Sequence, residues 1–122
     1  MKINARSKGS AGEREFARWL QINLGLDYLP TRNLDQVRDG GGDIVCVEPF
    51  IFEVKRCQQL AKRDWWLQIT KATKGNEIRV VAYRQNNSKW KFLISATHIG
   101  LSTGYIQLEE FEGREWLMQN IE

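Results

Sequence analysis

The sequence predicts an α/β fold in which a central mixed β-sheet is flanked by helices, and the order of its patterns leads to this prediction. A helical pattern opens the chain, two strand-like runs follow on either side of Pro49, and a second helical pattern precedes two more strand-like runs. Helices and strands in this order pack as layers around one sheet. The 122 residues are enough for one core, so we assign residues 1–122 to a single domain.

The first predicted helix begins at Ser10, after a basic segment of residues 1–9 that we expect to be a flexible arm. Ser10 and Glu13 have the spacing of a capping box, in which the two side chains satisfy backbone N–H groups at the helix start. Apolar residues then recur at three- and four-residue intervals, as on the buried face of a helix. They are Phe16, Ala17, Leu20 and Leu24.

A loop and a hairpin are predicted to follow this helix. Residues 25–42 are polar and loop-like, with a short strand at residues 28–29. The runs 43–48 and 50–55 are strand-like and meet at Glu48-Pro49, where the proline favours a turn because it cannot donate a ladder hydrogen bond. We therefore expect the two runs to pair.

The second half of the chain is predicted to add a helix, further strands and an acidic extension. Asp64 is a favourable capping residue for a helix that runs to about Lys74. We interpret residues 96–122 as an acidic C-terminal extension. The remaining predicted elements are strands at 78–83 and 89–94, a short strand at 105–108 and a helix from about Glu109.

The net charge of +3 is unevenly distributed along the chain. Residues 1–91 contain 17 Lys and Arg against 10 Asp and Glu, whereas residues 92–122 contain 1 against 5. A basic body with an acidic tail fits a surface that binds a polyanion, although chance clustering on a solvated surface is the alternative. No apolar run approaches the roughly 20 residues that span a membrane, and no secretory signal is recognisable. We therefore expect a cytoplasmic protein without a membrane partner.

Asp43, Glu53 and Lys55 are the charged residues that interrupt the apolar hairpin. Side chains two residues apart on a strand point to the same face, so Glu53 and Lys55 are neighbours. Counting outward from the turn places Asp43 almost opposite Glu53, where side chains lie roughly 5 Å apart. Paired carboxylates suit Mg²⁺ or Mn²⁺, and the lysine can assist an attacking water. The alternative is an exposed hairpin edge with an ordinary Glu–Lys pair.

Two further polar residues are candidates for the same site. Glu13 begins the apolar stripe of the first helix, so its carboxylate is expected to face the sheet and join the acidic pair, although helix capping alone would also explain it. Gln68 shares a helix face with Trp65 and Ala72, and we expect it on the core face as a water-orienting group. Because Trp65 and Trp66 are adjacent, one of the two is expected to point away from the sheet.

Basic residues flank the acidic residues in sequence and favour a phosphodiester substrate, since DNA binding depends on neutralising backbone phosphates. For each one, ordinary surface charge is the competing explanation. The candidate DNA-binding residues are Arg6, Lys8, Arg14, Arg32, Arg38, Arg56, Lys62, Arg63 and Lys71.

The spacing of Asp43, Glu53, Val54 and Lys55 resembles the Asp…Glu-x-Lys motif of the PD-(D/E)xK nuclease superfamily. Gly42 stands where that superfamily often has proline. The opening Lys-Gly-Ser-Ala-Gly-Glu-Arg-Glu of residues 8–15, followed by an amphipathic helix, resembles archaeal-type Holliday junction resolvases and related phage endonucleases. The resemblance covers residues 6 to 85.

This resemblance implies a restriction endonuclease-like core and a Mg²⁺-dependent endodeoxyribonuclease. Asp43, Glu53, the Val54 carbonyl and Glu13 would hold the metal, and Lys55 would assist the nucleophilic water. The implied substrate is branched or four-way DNA, cut by a homodimer that acts in the host cytoplasm if the protein is phage-encoded. A nicking or restriction-like nuclease is one alternative, and a non-catalytic DNA-binding module of the same fold is another.

Overall fold

The computed structural model describes residues 5–33, 43–45 and 47–122, and it confirms the predicted α/β class. Within these residues, a six-stranded mixed sheet is flanked by three α-helices. The helices are α1 (Ala5–Leu24), α2 (Lys62–Ala72) and α3 (Glu110–Asn120). The strands are β1 (Thr31–Arg32), β2 (Ile44–Val45), β3 (Phe50–Arg56), β4 (Ile78–Arg84), β5 (Lys91–Ser95) and β6 (Tyr105–Leu108).

The strands lie in the sheet in the order in which they occur in the sequence. Strands β3 and β4 are parallel, and all other neighbouring pairs among the described strands are antiparallel. Helix α2 connects β3 to β4, as the crossover between parallel strands requires. The long central strands are buried, because apolar side chains from both sheet faces are covered by helices.

The two faces of the sheet are covered by different helices. Strand β3 alternates between them, because Phe52 and Val54 pack in the cluster with α1 and α3, whereas Ile51 packs in the cluster with α2. The expectation that one tryptophan of α2 points away from the sheet is wrong, since both are buried. The ring centroid of Trp65 lies 5.3 Å from that of Tyr83, and the ring centroid of Trp66 lies 5.9 Å from that of Tyr105.

The starts of α1 and α2 differ from the predicted ones. Helix α1 begins at Ala5, so residues 5–9 are helical rather than an arm, and Ser10 is an interior residue instead of a cap. Lysine, arginine and alanine are good helix formers, which allows the helix to extend beyond the serine. Helix α2 begins at Lys62, which places Asp64 within the first turn, where a carboxylate interacts favourably with the helix dipole.

The hairpin forms as predicted, but its first strand is short. Strand β2 comprises Ile44–Val45 rather than 43–48, because the turn already begins at Val47, whose carbonyl accepts the Phe50 N–H at 2.8 Å. Instead of the short strand predicted at 28–29, β1 follows Pro30 and pairs with β2. Glu48-Pro49 lies in the turn as expected.

Residues 96–122 complete the sheet and one core layer. The predicted strand at 105–108 is confirmed as β6, which pairs with β5 at the edge of the sheet. Helix α3 places Leu117, fully buried, in the core shared with α1. Within the described part of the chain, no helix is both long enough and apolar enough to cross a membrane.

Gly113 is the point at which α3 approaches β5 most closely, and we expect Gly113→Ala to destabilise the protein. An added Cβ would lie 2.2 Å from Cδ2 of Phe92, a side chain that is 1% exposed. Alanine gains about 1 kcal/mol in helix propensity, but overpacking costs about 1–3 kcal/mol and the backbone shift adds to it. Urea unfolding should show a net loss of about 2 kcal/mol.

The exposed neighbour Glu112 provides the control for this substitution. Glu112→Ala should change the free energy of unfolding by less than about 0.5 kcal/mol. Equal stability of the two variants would contradict the close packing of α3 on β5.

Candidate active site

Asp43 and Glu53 meet where β2 joins β3. Ile44 is opposite Phe52, so continuing the antiparallel register by one residue places Asp43 opposite Glu53. The Asp43 N–H donates to the Phe52 carbonyl at 2.6 Å, and Asp43 Oδ2 accepts the Val54 N–H at 2.8 Å. The two carboxyl groups therefore converge as predicted, and hydrogen bonds to the β3 backbone hold both the main chain and the side chain of Asp43.

Glu53 is held in an unfavourable setting for a charged group. Its side chain is 2% exposed, and within the described residues its Oε2 atom has no hydrogen-bond partner. Burial, and then the negative charge of Asp43, raise the pKa of Glu53 to about 8, while Lys55 acts in the opposite direction. The Lys55 Nζ atom lies 3.7 Å from Glu53 Oε1. Because Asp43 and Glu53 are both buried, the alternative interpretation of an exposed hairpin edge is ruled out.

Glu13 reaches the same area from α1. Burial, followed by the charge of Asp43, raises its pKa, and Arg32 opposes the shift. The Arg32 guanidinium donates to Glu13 Oε2 at 3.1 and 3.3 Å and to the Ser10 hydroxyl at 3.1 Å. Glu13 and Ser10 thus bind an arginine of β1 instead of forming a capping box, because both are inside the helix.

Val54 contributes through its backbone. The N–H and C=O groups of a strand residue point toward the same neighbouring strand. Since the Val54 N–H donates to Asp43, its carbonyl is directed to the side on which Asp43 lies. The carbonyl is thus suitably oriented to supply an oxygen to a cation held by Asp43 and Glu53.

Gln68 is not on the core face. It is exposed on α2, whose buried residues are Trp65, Trp66 and Ile69. The prediction of a core-facing, water-orienting Gln68 is therefore wrong. The two tryptophans occupy the inward surface of the helix and turn Gln68 toward solvent.

The candidate DNA-binding residues fall into three groups. Arg6, Lys8, Arg38 and also Gly42 lie outside the described residues or side chains. Arg14, Arg63 and Lys71 are exposed. The last group is half-buried and already has partners. Arg32 forms an ion pair with Glu13, Arg56 forms one with Glu15, and the Lys62 ammonium lies over the ring of Tyr83.

Sequence reasoning missed a second charged network next to the acidic residues. Glu15 receives ion pairs from Arg56 and Arg84. The two arginines are adjacent in register on β3 and β4, which brings both to one end of the parallel pair. Gly12 allows this contact, because an added Cβ would lie 2.6 Å from Arg56 Cγ. The matching positions of two arginines at strand ends were the signal that could have indicated it.

Asp43 and Glu53 form a pair of carboxylates rather than a complete cage. No group of three or more histidine, cysteine, aspartate or glutamate residues is arranged for metal binding in the described part of the chain. The pair nevertheless fits Mg²⁺ or Mn²⁺, which commonly take one or two carboxylates and fill their other positions with water and phosphate. The buried contact between the two carboxyl groups is the observation that favours a cation here, since neighbouring carboxylates repel each other unless a cation or a shared proton lies between them.

No protein-family model, curated protein or solved structure matches this chain.

Proposed function

We propose that the protein is a metal-dependent endonuclease that hydrolyses phosphodiester bonds in DNA, with a core of the restriction endonuclease type. The observation that carries this proposal is the buried Glu53 carboxyl group, which lies opposite Asp43 and beside Lys55, and whose Oε2 atom has no hydrogen-bond partner within the described residues. Burial beside a second acid raises the pKa of Glu53, so ionising both carboxyl groups is costly unless a cation lies between them.

The residues are assigned roles by their positions. Asp43, Glu53 and the Val54 carbonyl would hold Mg²⁺ or Mn²⁺, and Glu13 would complete the site through a water or directly. When bound, such an ion polarises a phosphoryl oxygen and lowers the pKa of its water. Lys55 would orient the attacking water and neutralise charge that develops on the phosphate. The backbone hydrogen bond from Val54 keeps Asp43 in place throughout.

The proposed substrate is branched DNA, with a four-way junction as the main candidate and a homodimer as the active form. Two observations support this substrate. The sequence opens like those of the resolvases, and Glu13, which belongs to that opening segment, lies close enough to Asp43 for its pKa to be raised by that charge. Two symmetric cuts require two copies of the site. The second candidate function is a nicking or restriction-like nuclease, which would use the same site and differ only in the DNA that it cuts.

A cleavage assay with four-way, nicked and linear DNA in Mg²⁺ tests the proposal. We expect preferential cleavage of the four-way DNA by the wild type. Asp43→Asn should reduce the cleavage rate by about 10²-fold, because the amide still accepts the Val54 N–H but binds a cation weakly.

Asp64→Asn is the matched control, since it removes an exposed carboxylate from α2 and should cleave like the wild type. Equal activity of the Asp43 and Asp64 variants would mean that the site is wrong. A wild type that binds DNA and cuts none of the three substrates would favour a non-catalytic DNA-binding module.

A further inference from the structure

A basic groove lies alongside α1. It is a cavity of about 650 Å³ bounded by α1, by the turn between β4 and β5, and by the start of α3. Four cationic side chains line it, two from α1, one from the end of β4 and one from the turn. We call these residues the groove cations: Arg14, Arg18, Arg84 and Lys89.

The groove retains positive charge because its own carboxylates are already engaged. Glu15 is paired with Arg56 and Arg84, and Glu110 accepts the Trp90 N–H at 3.0 Å. The other three groove cations are exposed, and none has an ion-pair partner within the described part of the chain. A multivalent anion would therefore gain contacts here without displacing an internal salt bridge.

The spacing of the two cations on α1 suits a chain of phosphates. Arg14 and Arg18 are four residues apart on one helix face, about 6 Å along the axis. A DNA strand presents a phosphate about every 3.4 Å of duplex length, so the pair spans about two of them. Like charges at this helical spacing repel each other, and a bound polyanion would remove that cost.

The groove shares two of its cations with a second cavity. Arg14 and Arg18 line a second cavity, of about 340 Å³, on the other flank of α1, and this cavity extends to Arg32. Arg32 in turn holds Glu13. An extended anion that crosses α1 at these two arginines would therefore reach Arg32, the residue that binds Glu13.

We propose that this groove binds the sugar–phosphate backbone of the DNA whose cleaved bond lies at Asp43 and Glu53, on the far side of α1. The identity of the anion as DNA rests on the proposed function. Lys89 and Ser88, in the turn between β4 and β5, supply a charge and a hydroxyl to the backbone. Contacts of this kind position the nucleic acid without reading its sequence.

Binding measured without cleavage tests the inference. Fluorescence anisotropy with labelled four-way and duplex DNA in EDTA would compare the wild type with the groove variant Arg18→Ala/Lys89→Ala. We expect about tenfold weaker binding and a salt-dependence slope that is smaller by about 2, since each phosphate contact contributes about 0.9 to the slope. Both side chains are exposed, so the variant should fold normally.

The control variant Lys74→Ala/Arg79→Ala removes the same formal charge elsewhere. Lys74 follows α2, and Arg79 lies over the Trp66 ring at the start of β4, at the opposite end of that strand from the groove cation Arg84. The control should change DNA affinity by less than about twofold. Equal losses in the two variants would overturn the inference, because binding would then follow net charge alone. A groove variant that no longer binds inorganic phosphate but still binds DNA normally would also overturn the inference.

The outcomes separate this inference from the proposed function. If the wild type cuts no DNA but the groove variant binds DNA more weakly than the control variant, the groove stands and the nuclease assignment falls. If the wild type cuts DNA and the groove variant binds like the control variant, the nuclease assignment stands and the groove falls.

Discussion

Replacing Glu53 by glutamine is expected to remove cleavage activity and, without metal, to make the protein more stable. The amide has the shape of the carboxylate but carries no charge, so cleavage should fall by about 10³-fold. Above the raised pKa of about 8, the same change removes a buried charge whose Oε2 atom has no partner among the described residues. Loss of activity with a gain in stability is the pattern expected of a residue kept for function.

The gain in stability should depend on pH in a defined direction. Because the pKa of Glu53 is raised to about 8 in the folded protein, the folded state retains a proton that the unfolded state releases near the ordinary glutamate pKa of 4.5. The stabilisation is complete below that lower value and is lost as the pH rises toward 8. Glu53→Gln avoids this loss.

Thermal unfolding in EDTA would measure the difference. Above pH 8 we expect Glu53→Gln to unfold about 15 °C or more above the wild type, because a pKa raised from 4.5 to about 8 corresponds to about 5 kcal/mol. At pH 4 the two proteins should unfold at similar temperatures. Glu112→Gln, at an exposed site on α3, should follow the wild type at both pH values. Lower stability of Glu53→Gln at alkaline pH would contradict the strain assigned to the carboxylate.

Metal affinity is expected to rise steeply with pH, which is the second large effect. In the proposed site Asp43 and Glu53 would bind a cation as carboxylates, so the proton on Glu53 would have to leave when the cation binds. Below the pKa of about 8, apparent affinity for Mn²⁺ should therefore increase about tenfold per pH unit, and it should level off above that value.

Calorimetric titration with Mn²⁺ in two buffers of different ionisation enthalpy would count the proton directly. We expect about one proton released per cation at pH 7. Lys55→Met provides an internal test, because Lys55 lowers the pKa of Glu53 and its loss should move the rise in affinity to higher pH. Affinity that is independent of pH from 6 to 8 would show that Glu53 is not a ligand.

The acidic pair could be predicted from the sequence because its geometry is local. Asp43 and Glu53 are separated by one turn, and a proline at that turn sets the register that places them opposite each other. Glu13 could be found because helical periodicity indicates which side chains face inward. These inferences need only the periodicity of side chains along a helix, the alternation of side chains along a strand and the position of one turn.

The remaining contacts depend on elements that are distant in sequence. Arg32 binds Ser10 and Glu13 because β1 pairs with β2 close to α1, and no local pattern indicates this. A capping box therefore seemed sufficient to explain Ser10. Gln68 was misplaced for a similar reason, because the orientation of α2 is decided by how Trp65 and Trp66 fit against the sheet.

The ion pairs between Glu15 and the ends of β3 and β4 also determine when the site can exist. Glu15 and Arg84 are separated by 69 residues, so α1 is not anchored until most of the sheet has been synthesised and paired. Glu13, two residues before Glu15, is held by Arg32 of β1 as well, so the anchor at β4 is the later of its two supports. A nascent chain that ends before β4 can consequently form the hairpin of Asp43 and Glu53 but lacks the fixed position of α1 beside it, and any hydrolytic activity should appear only late in translation.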